Sequence, residues 1–361
     1  MYQSISTYTN PCFRAPKLLP SPSSFSKTTL SVPSLPHSFR SFALKSSQFT
    51  EIPPPLVVVG SANADIFLEI DRLPQLGETL SARNGFTLPG GKGANQAACA
   101  AKISYPTHFL GQVGDDAHGA LILQSLRNCG VRVDHVRELP GVPTGNAVVL
   151  VQPSGENVII ISGGANVQGW PNDFSKDDLE IVKNAGMVLL QREIPDSVNL
   201  RVAEAATDAG VSVILDAGGM DSPLPSELLS AIDFLSPNES ELSRITGLPT
   251  ETMEQIEKAV VACYEMGVKK VLLKLGERGS GLFVKGEEPI FQAIVPVAGK
   301  VVDTTGAGDT FTAAFAVALL EGKSKPMCLR FAAAAASLCI EEKGAMPSMP
   351  DREAVSNRMY L

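Results

Sequence analysis

Two glycine-rich strings carry the strongest chemical signal in this sequence. Asp303-Thr304-Thr305-Gly306-Ala307-Gly308-Asp309-Thr310-Phe311 follows an apolar stretch and leads into an apolar-periodic segment that reads as a helix. Small residues at a helix start leave backbone N–H groups unobstructed, and the helix dipole adds positive potential, so Gly306, Ala307 and Gly308 form an anion hole. A carboxylate at its rim, Asp309, can take a proton from a hydroxyl while the hole stabilises a phosphoryl group in transfer. A bare Gly-x-Gly-Asp serves a turn and a helix cap equally well. The whole nine-residue string is far more demanding.

The second string, Pro89-Gly90-Gly91-Lys92-Gly93-Ala94-Asn95-Gln96, permits close backbone approach to a polar ligand, with Lys92 and the Asn95 amide as donors. It is not a Walker A loop, because Lys92 is followed by glycine rather than Ser or Thr. Gly322-Lys323-Ser324 fails the same pattern, since Val317 stands where its first glycine belongs. Asn63 and Asp65, just past an apolar run, can each bind a sugar hydroxyl or simply make a turn. Asn238 and Glu241 stand three apart at a helix start, as a capping box or as a pair organising hydrated Mg²⁺, and the two roles are compatible. Lys274-Leu275-Gly276-Glu277-Arg278-Gly279 reads as a strand-end loop suited to lie under a nucleotide.

These residues need a scaffold. Leu56-Val57-Val58-Val59 before Gly60 reads as a buried strand. Alternating stretches at Ile66–Ile70 and Glu78–Phe86 read as half-exposed strands, and an Ala-rich helix follows over Ala94–Lys102. Strand-like and helix-like runs then alternate: 107–112 and 115–129, 187–190 and 197–208, 211–215 and 225–230, 232–236 and 239–246, 252–266 and 270–274. Such alternation argues for a parallel sheet covered by helices on both faces, with ligands at the carboxyl ends of the strands. Asn146–Gln152 and Asn157–Ser162 interrupt it as a hairpin, and two Ala-rich helices, about 308–321 and 325–341, end the chain. One doubly wound α/β domain with a small β lid is expected.

Composition narrows the function. The 361 residues carry a formal charge of −8, but residues 1–50 hold five basic side chains and no Asp or Glu, which leaves −13 on residues 51–361. An acidic body argues against a nucleic-acid binder. Residues 1–50, rich in Ser and Thr, read as a targeting segment cleaved near 45–55, or as a plain disordered tail. Ser and Thr outweigh Arg, which leans to a plastid over a mitochondrion. The longest apolar run, Phe331–Ile340, is far short of the ~20 residues a membrane span needs. Six cysteines and four histidines show no CxxC or HExxH spacing, so zinc chemistry and a Ser-His-Asp triad lack support.

Taken together, from about Leu56 to Pro350, these strings resemble the PfkB family of carbohydrate kinases, and within it the ribokinase group, which carries Lys in Gly-Gly-Lys-Gly-Ala-Asn where fructokinases typically have Gly-Gly-Ala-Pro-Ala-Asn. The resemblance implies a ribokinase-like three-layer αβα sandwich over residues 51–361, with a mostly parallel central sheet and a lid from about 63–90 and 144–162. It implies ATP-dependent phosphorylation of the D-ribose 5-hydroxyl, with another sugar or a nucleoside as alternative acceptor, or a non-catalytic assembly protein as a rival of another class. By the same resemblance, Asn63, Asp65, Gly91, Lys92, Gly93, Ala94, Asn95 and Glu193 would bind ribose, and Asp309 would be the base. Asn238, Lys274, Leu275, Gly276, Glu277, Arg278, Gly279 and Gly308 would contact ATP, with Asn238 and Glu241 near Mg²⁺. Asp303 and Thr305 match one loop of a K⁺ site, and Cys339, Glu342, Gly344 and Ser348 the other. A homodimer paired through the lid is implied as well. Asp216-Ala217-Gly218-Gly219 departs from a common Asn-Pro-Ala-Pro, Lys274 from a common Thr, and Ala333 from a polar residue near the adenine. An extra carboxylate at Asp216, close to ATP, is expected to need Mg²⁺ or water to compensate it.

Overall fold

The structure is a computed structural model that describes residues 53–154, 156–171 and 174–360. The targeting segment expected over residues 1–50 lies outside them, as does most of the 45–55 stretch in which its cleavage is expected. The strands in chain order are β1 Leu56–Val59, β2 Asn63–Glu69, β3 Asn84–Gly90, β4 Thr107–Gly114, β5 Arg132–Leu139, β6 Gly145–Val151, β7 Asn157–Ser162, β8 Met187–Arg192, β9 Ser212–Gly219, β10 Phe234–Ser236, β11 Lys270–Lys274, β12 Ser280–Val284 and β13 Ile290–Gln292.

Nine of these strands form one sheet in the order β13-β12-β11-β10-β9-β8-β1-β4-β5. It is parallel from β5 across to β11 and antiparallel at β12 and β13. β1 shows why an unbroken Leu-Val-Val-Val run suits its centre. Leu56 and Val58 face a core shared with helices Lys92–Lys102, Ala307–Leu320 and Lys325–Cys339. Val57 and Val59 face the opposite core, against helices Asp196–Asp208 and Met253–Glu265. A strand buried on both faces has no polar side to show. The result is a three-layer αβα sandwich.

The other four strands make a smaller sheet, ordered β3-β2-β6-β7. Its outer pairs are antiparallel, and β2 and β6 run parallel at its centre. The hairpin expected over 146–162 is present as β6 and β7. The strand expected from Glu78 begins only at Asn84, because its partner β2 stops at Glu69, which pairs with Asn84. Residues 71–83 instead form a loop held by Arg72 on Glu78 and turning at Gly77, whose φ is 79°.

Several elements went unread in the sequence, among them β5, β12, β13 and the helices Lys176–Lys183, Ala345–Ser348 and Arg352–Arg358. β5 carries Arg132, Asp134, Arg137 and Glu138 on an outer strand, where charge blunts an open edge and hides the apolar alternation.

Candidate active site

The loops at the carboxyl ends of β1, β8, β9, β10 and β11 meet the first turns of two helices, Lys92–Lys102 and Ala307–Leu320. A cleft of about 590 Å³ opens there beneath the small sheet. Its polar wall includes Asn63, Asp65, Gly91, Lys92, Asn95, Glu193 and Asp309. Its apolar wall comes from the small sheet: Phe67, Ala147, Val149, Ile159 and Ile161.

Each polar side chain has an identifiable anchor. Asn63 Oδ1 accepts from Asn166 Nδ2 at 2.7 Å, and Asn166 also grips both backbone groups of Ala62. Glu193, just past β8, accepts from Ser61 Oγ at 2.5 Å and from the Lys92 N–H at 3.0 Å. Asp65 lies against Gly90, where any Cβ would collide with its carboxylate. Burial, then the charges of Glu193 and Asp309, push the Asp65 carboxyl up to about 7. Gly91, Lys92 and Asn95 line the cleft, whereas Gly93 and Ala94 pack beneath it. Gly93 lets the helix seat on the Ser61 backbone, and Ala94 is fully buried with its N–H on Ser61 O.

Asp309, in the first turn of its helix, is 5% exposed. Its Oδ2 accepts from Asn95 Nδ2 at 3.0 Å, and its Oδ1 from Gln96 Nε2 at 3.3 Å and Lys92 Nζ at 3.5 Å. Gly306 caps this helix at φ 81°, a left-handed conformation that favours glycine. The Ala307 N–H, read from the sequence as part of the anion hole, is taken by Thr304 O at 3.2 Å. Among the described residues no acceptor engages the N–H of Gly308 or Asp309. The Gly306 N–H is likewise unengaged among the described residues, so of the three expected donors only Ala307 is already taken.

On the far side of Gly308, Asn238 and Glu241 form a complete capping box, with both bonds at 2.8 Å. Each side chain thereby uses one oxygen on the helix, and Glu241 Oε1 makes no hydrogen bond among the described residues. Lys274 bridges to Asn238 across β11 and directs its Nζ to Asp216 Oδ2 at 2.7 Å and Ser236 O at 3.0 Å. In the following turn Leu275 is buried, and Arg278 points away to Glu239 Oε1, Thr250 O and Glu251 O. Arg278 thus fixes the loop from behind. Gly276 and Gly279 have φ of 53° and 91°, and Glu277 is exposed.

The residues matched to a monovalent-cation site also converge. Asp303 accepts from the N–H of Thr305 and of Gly344, each at 2.9 Å, and so ties two loops together. Those bonds overcome burial and hold the Asp303 carboxyl below its usual range. Cys339 Sγ lies 3.1 Å from Ser348 Oγ and 3.7 Å from Thr305 O. Glu342 is exposed, and its N–H donates to Cys339 O at 3.3 Å. Carbonyl and hydroxyl oxygens around one carboxylate suit a hard cation.

Residues 54–352 match the pfkB family of carbohydrate kinases. The chain belongs to this family. A ribokinase of Arabidopsis thaliana is 66% identical over 304 residues, covering 84% of this chain and 80% of its own. A ribokinase of Bacillus subtilis is 36% identical, covering 83% of this chain and 97% of its own. The solved structure of Arabidopsis thaliana ribokinase complexed with ribose and ATP matches with a TM-score of 0.83 at 65% identity, covering 86% of this chain and 99% of that one.

Several site residues of this pfkB chain escaped the sequence. Asn166 and Ser61 sit behind Asn63 and Glu193 with no motif of their own. Gln96 extends the Asp309 bonds into the core through Gln191, 2.8 Å away. Only its place beside Asn95 pointed to it. Phe67 and Ile159 were legible as alternating apolar positions, but which face they present depends on the pairing of β2 with β6.

Proposed function

We propose that this chain is a ribokinase, transferring the γ-phosphoryl group of ATP to the 5-hydroxyl of D-ribose. The observation that carries this reading is the placement of Asp309, beside two open helix-end N–H groups, at the floor of a cleft walled by Asn63, Asp65, Asn95 and Glu193. Those amides and carboxylates are donors and acceptors for the ring hydroxyls and orient the sugar so that its 5-hydroxyl meets Asp309. Asp309 accepts the hydroxyl proton as the new O–P bond forms and the bond to the bridging oxygen breaks, releasing ADP. The donors Asn95, Gln96 and Lys92 fix its carboxylate for that step. The N–H groups of Gly308 and Asp309 face the transferring group and stabilise its charge. The apolar wall of the small sheet acts as a lid that keeps water from competing for the phosphoryl group.

Asn238 and Glu241 would hold the hydrated Mg²⁺, which supplies charge neutralisation on the phosphates. Asp303, Thr305, Cys339, Glu342, Gly344 and Ser348 would hold K⁺ behind the anion hole. The nucleotide would lie along Lys274–Gly279. Two further parts of the reading concern assembly and place. All six residues of β7 are exposed, which supports pairing of lids in a homodimer. The acid-free leader supports delivery to the chloroplast, with the mitochondrion as alternative.

An acceptor panel with ATP, Mg²⁺ and K⁺ tests the central claim. D-Ribose should give the highest kcat/KM among ribose, 2-deoxyribose, fructose and a nucleoside. A higher value for any other acceptor overturns it.

A further inference from the structure

Asp216 stands within β9, three residues before its end, in register with Gln191 of β8 and Ser236 of β10. Its carboxylate is completely buried. A lone buried charge there would be untenable, and neither metal nor water is needed to explain it. Oδ2 accepts from Lys274 Nζ at 2.7 Å and Thr312 Oγ1 at 3.2 Å. Oδ1 accepts from the Gly218 N–H at 3.0 Å and faces Lys92 Nζ at 3.5 Å. The expectation that a carboxylate here is unfavourable unless Mg²⁺ or water offsets it is therefore corrected: two lysines offset it. Against the penalty of burial, Lys274 and then Lys92 hold the Asp216 carboxyl well below the usual carboxylate range.

The two lysines come from opposite sides of the site. Lys92 belongs to the acceptor-side glycine string, and its Nζ also reaches Asp309 Oδ1 at 3.5 Å. Lys274 opens the nucleotide-side loop and passes beneath Gly308, its Nζ 3.9 Å from where a Cβ on that glycine would stand. We propose that Asp216 is a positioning residue that holds the Lys92 and Lys274 ammonium groups together on the line from the acceptor hydroxyl to the nucleotide phosphates. Neither lysine can satisfy that geometry alone. Both have flexible stems, and Asp216 is the one group that each ammonium shares. Gly218 belongs to the same arrangement, because a Cβ there would strike Lys92 Cε. With Asp309, these four side chains carry two negative and two positive charges, so each lysine has a carboxylate partner before a polyanion enters. The phosphates then draw both ammonium groups without breaking their hold on Asp216, since each lysine has three donors.

The inference rests on the phosphoryl-transfer reading but not on ribose as acceptor. The test is a double-mutant cycle of Asp216→Asn, Lys274→Met and the pair, with kcat, KM for both substrates and equilibrium ATP binding measured beside Tm. The acceptor is whichever sugar wild type phosphorylates fastest, so a failure of ribose counts against the acceptor alone. Asp216→Asn leaves the Lys274 ammonium without its carboxylate, and Lys274→Met leaves Asp216 with the more distant Lys92 alone; each should lower kcat at least tenfold, with KM for the sugar within about twofold. The pair leaves neither stranded and should recover at least tenfold of the product of the two losses. Gly218→Ala, which alters no charge, should displace Lys92 and lower kcat while Tm stays close to that of wild type. An Asp216→Asn kcat within twofold of wild type overturns the proposal. So do losses that multiply in both kcat and ATP binding, or a loss that tracks Tm alone.

Discussion

Asn95 donates from Nδ2 to Oδ2 of Asp309 across 3.0 Å, so one glycine string orients the side chain that the other string presents. The two stretches lie more than two hundred residues apart, and helix-to-helix packing between Lys92–Lys102 and Ala307–Leu320 brings them together. Asp309→Asn keeps the shape but removes the proton acceptor. It should lower kcat by roughly 10²–10⁴-fold, the usual worth of a positioned general base, with KM for the sugar nearly unchanged. Steady-state kinetics decides it, and activity within twofold of wild type would remove Asp309 from the chemical step.

Asp65 gives a pH signature with a definite sign. Burial and its carboxylate neighbours raise its folded pKa from 3.8 to about 7. Unfolded chains release this proton near the ordinary value, so the native state binds more protons between about pH 4 and 7. Its contribution to stability is present at low pH and is lost as pH rises through about 7. Asp65→Asn should therefore raise Tm at about pH 8 and leave it unchanged at about pH 3. Thermal melts of both proteins across that range check this, and parallel Tm curves would show that Asp65 titrates normally.

Gly90 tests the fit of the acceptor side. Its backbone is ordinary strand, so alanine is not excluded by conformation, but the added methyl would occupy the space of the Asp65 carboxylate. Gly90→Ala should raise KM for the sugar at least tenfold while KM for ATP stays within twofold. Equal effects on both constants would point to general disruption of the lid.

Much of this was legible in the sequence because glycine, Asn and Asp at helix starts are constrained by local backbone chemistry. The helix start at Gly306, the capping box of Asn238 and Glu241, and the buried β1 strand depend on neighbours within a few residues. What stayed hidden depends on distance. Asp216 looked like an uncompensated charge because its partners lie 124 and 58 residues away in the chain. Arg278 sat in the nucleotide loop by motif, yet its fork turns outward to Glu239 because Thr250 and Glu251 offer carbonyls behind it. Ala307 read as an open donor until Thr304 closed a turn onto it.

The lid edge makes a prediction about assembly. Along β7, Ile159 and Ile161 face the cleft, and strand alternation turns Val158 and Ile160 to the other side, exposed. Ile160→Lys should convert the proposed dimer to a monomer in sedimentation while leaving the fold intact. A wild-type chain that sediments as a monomer at micromolar concentration would end that part of the reading.

The loops proposed to hold a cation supply the last test, and it turns on Asp303. Its two oxygens hold the N–H groups of Thr305 and Gly344, so one carboxylate joins the loop before the anion hole to the loop after helix Lys325–Cys339. Close contact between Gly306 and Ala345 leaves little slack between them, since a Cβ on Gly306 would press on Ala345 at 2.9 Å. A cation bound between the loops would draw carbonyls such as Thr305 O towards it and set the pitch of the first helical turn. Wild-type enzyme should therefore run about tenfold faster in K⁺ than in a bulky organic cation. Asp303→Ala should bring the K⁺ rate down to that lower rate, with little change in KM for the sugar. Asp303→Asn keeps one acceptor oxygen and should fall between them. Rates in wild type that ignore the choice of cation would remove K⁺ from the site and leave Asp303 as a tie between two loops.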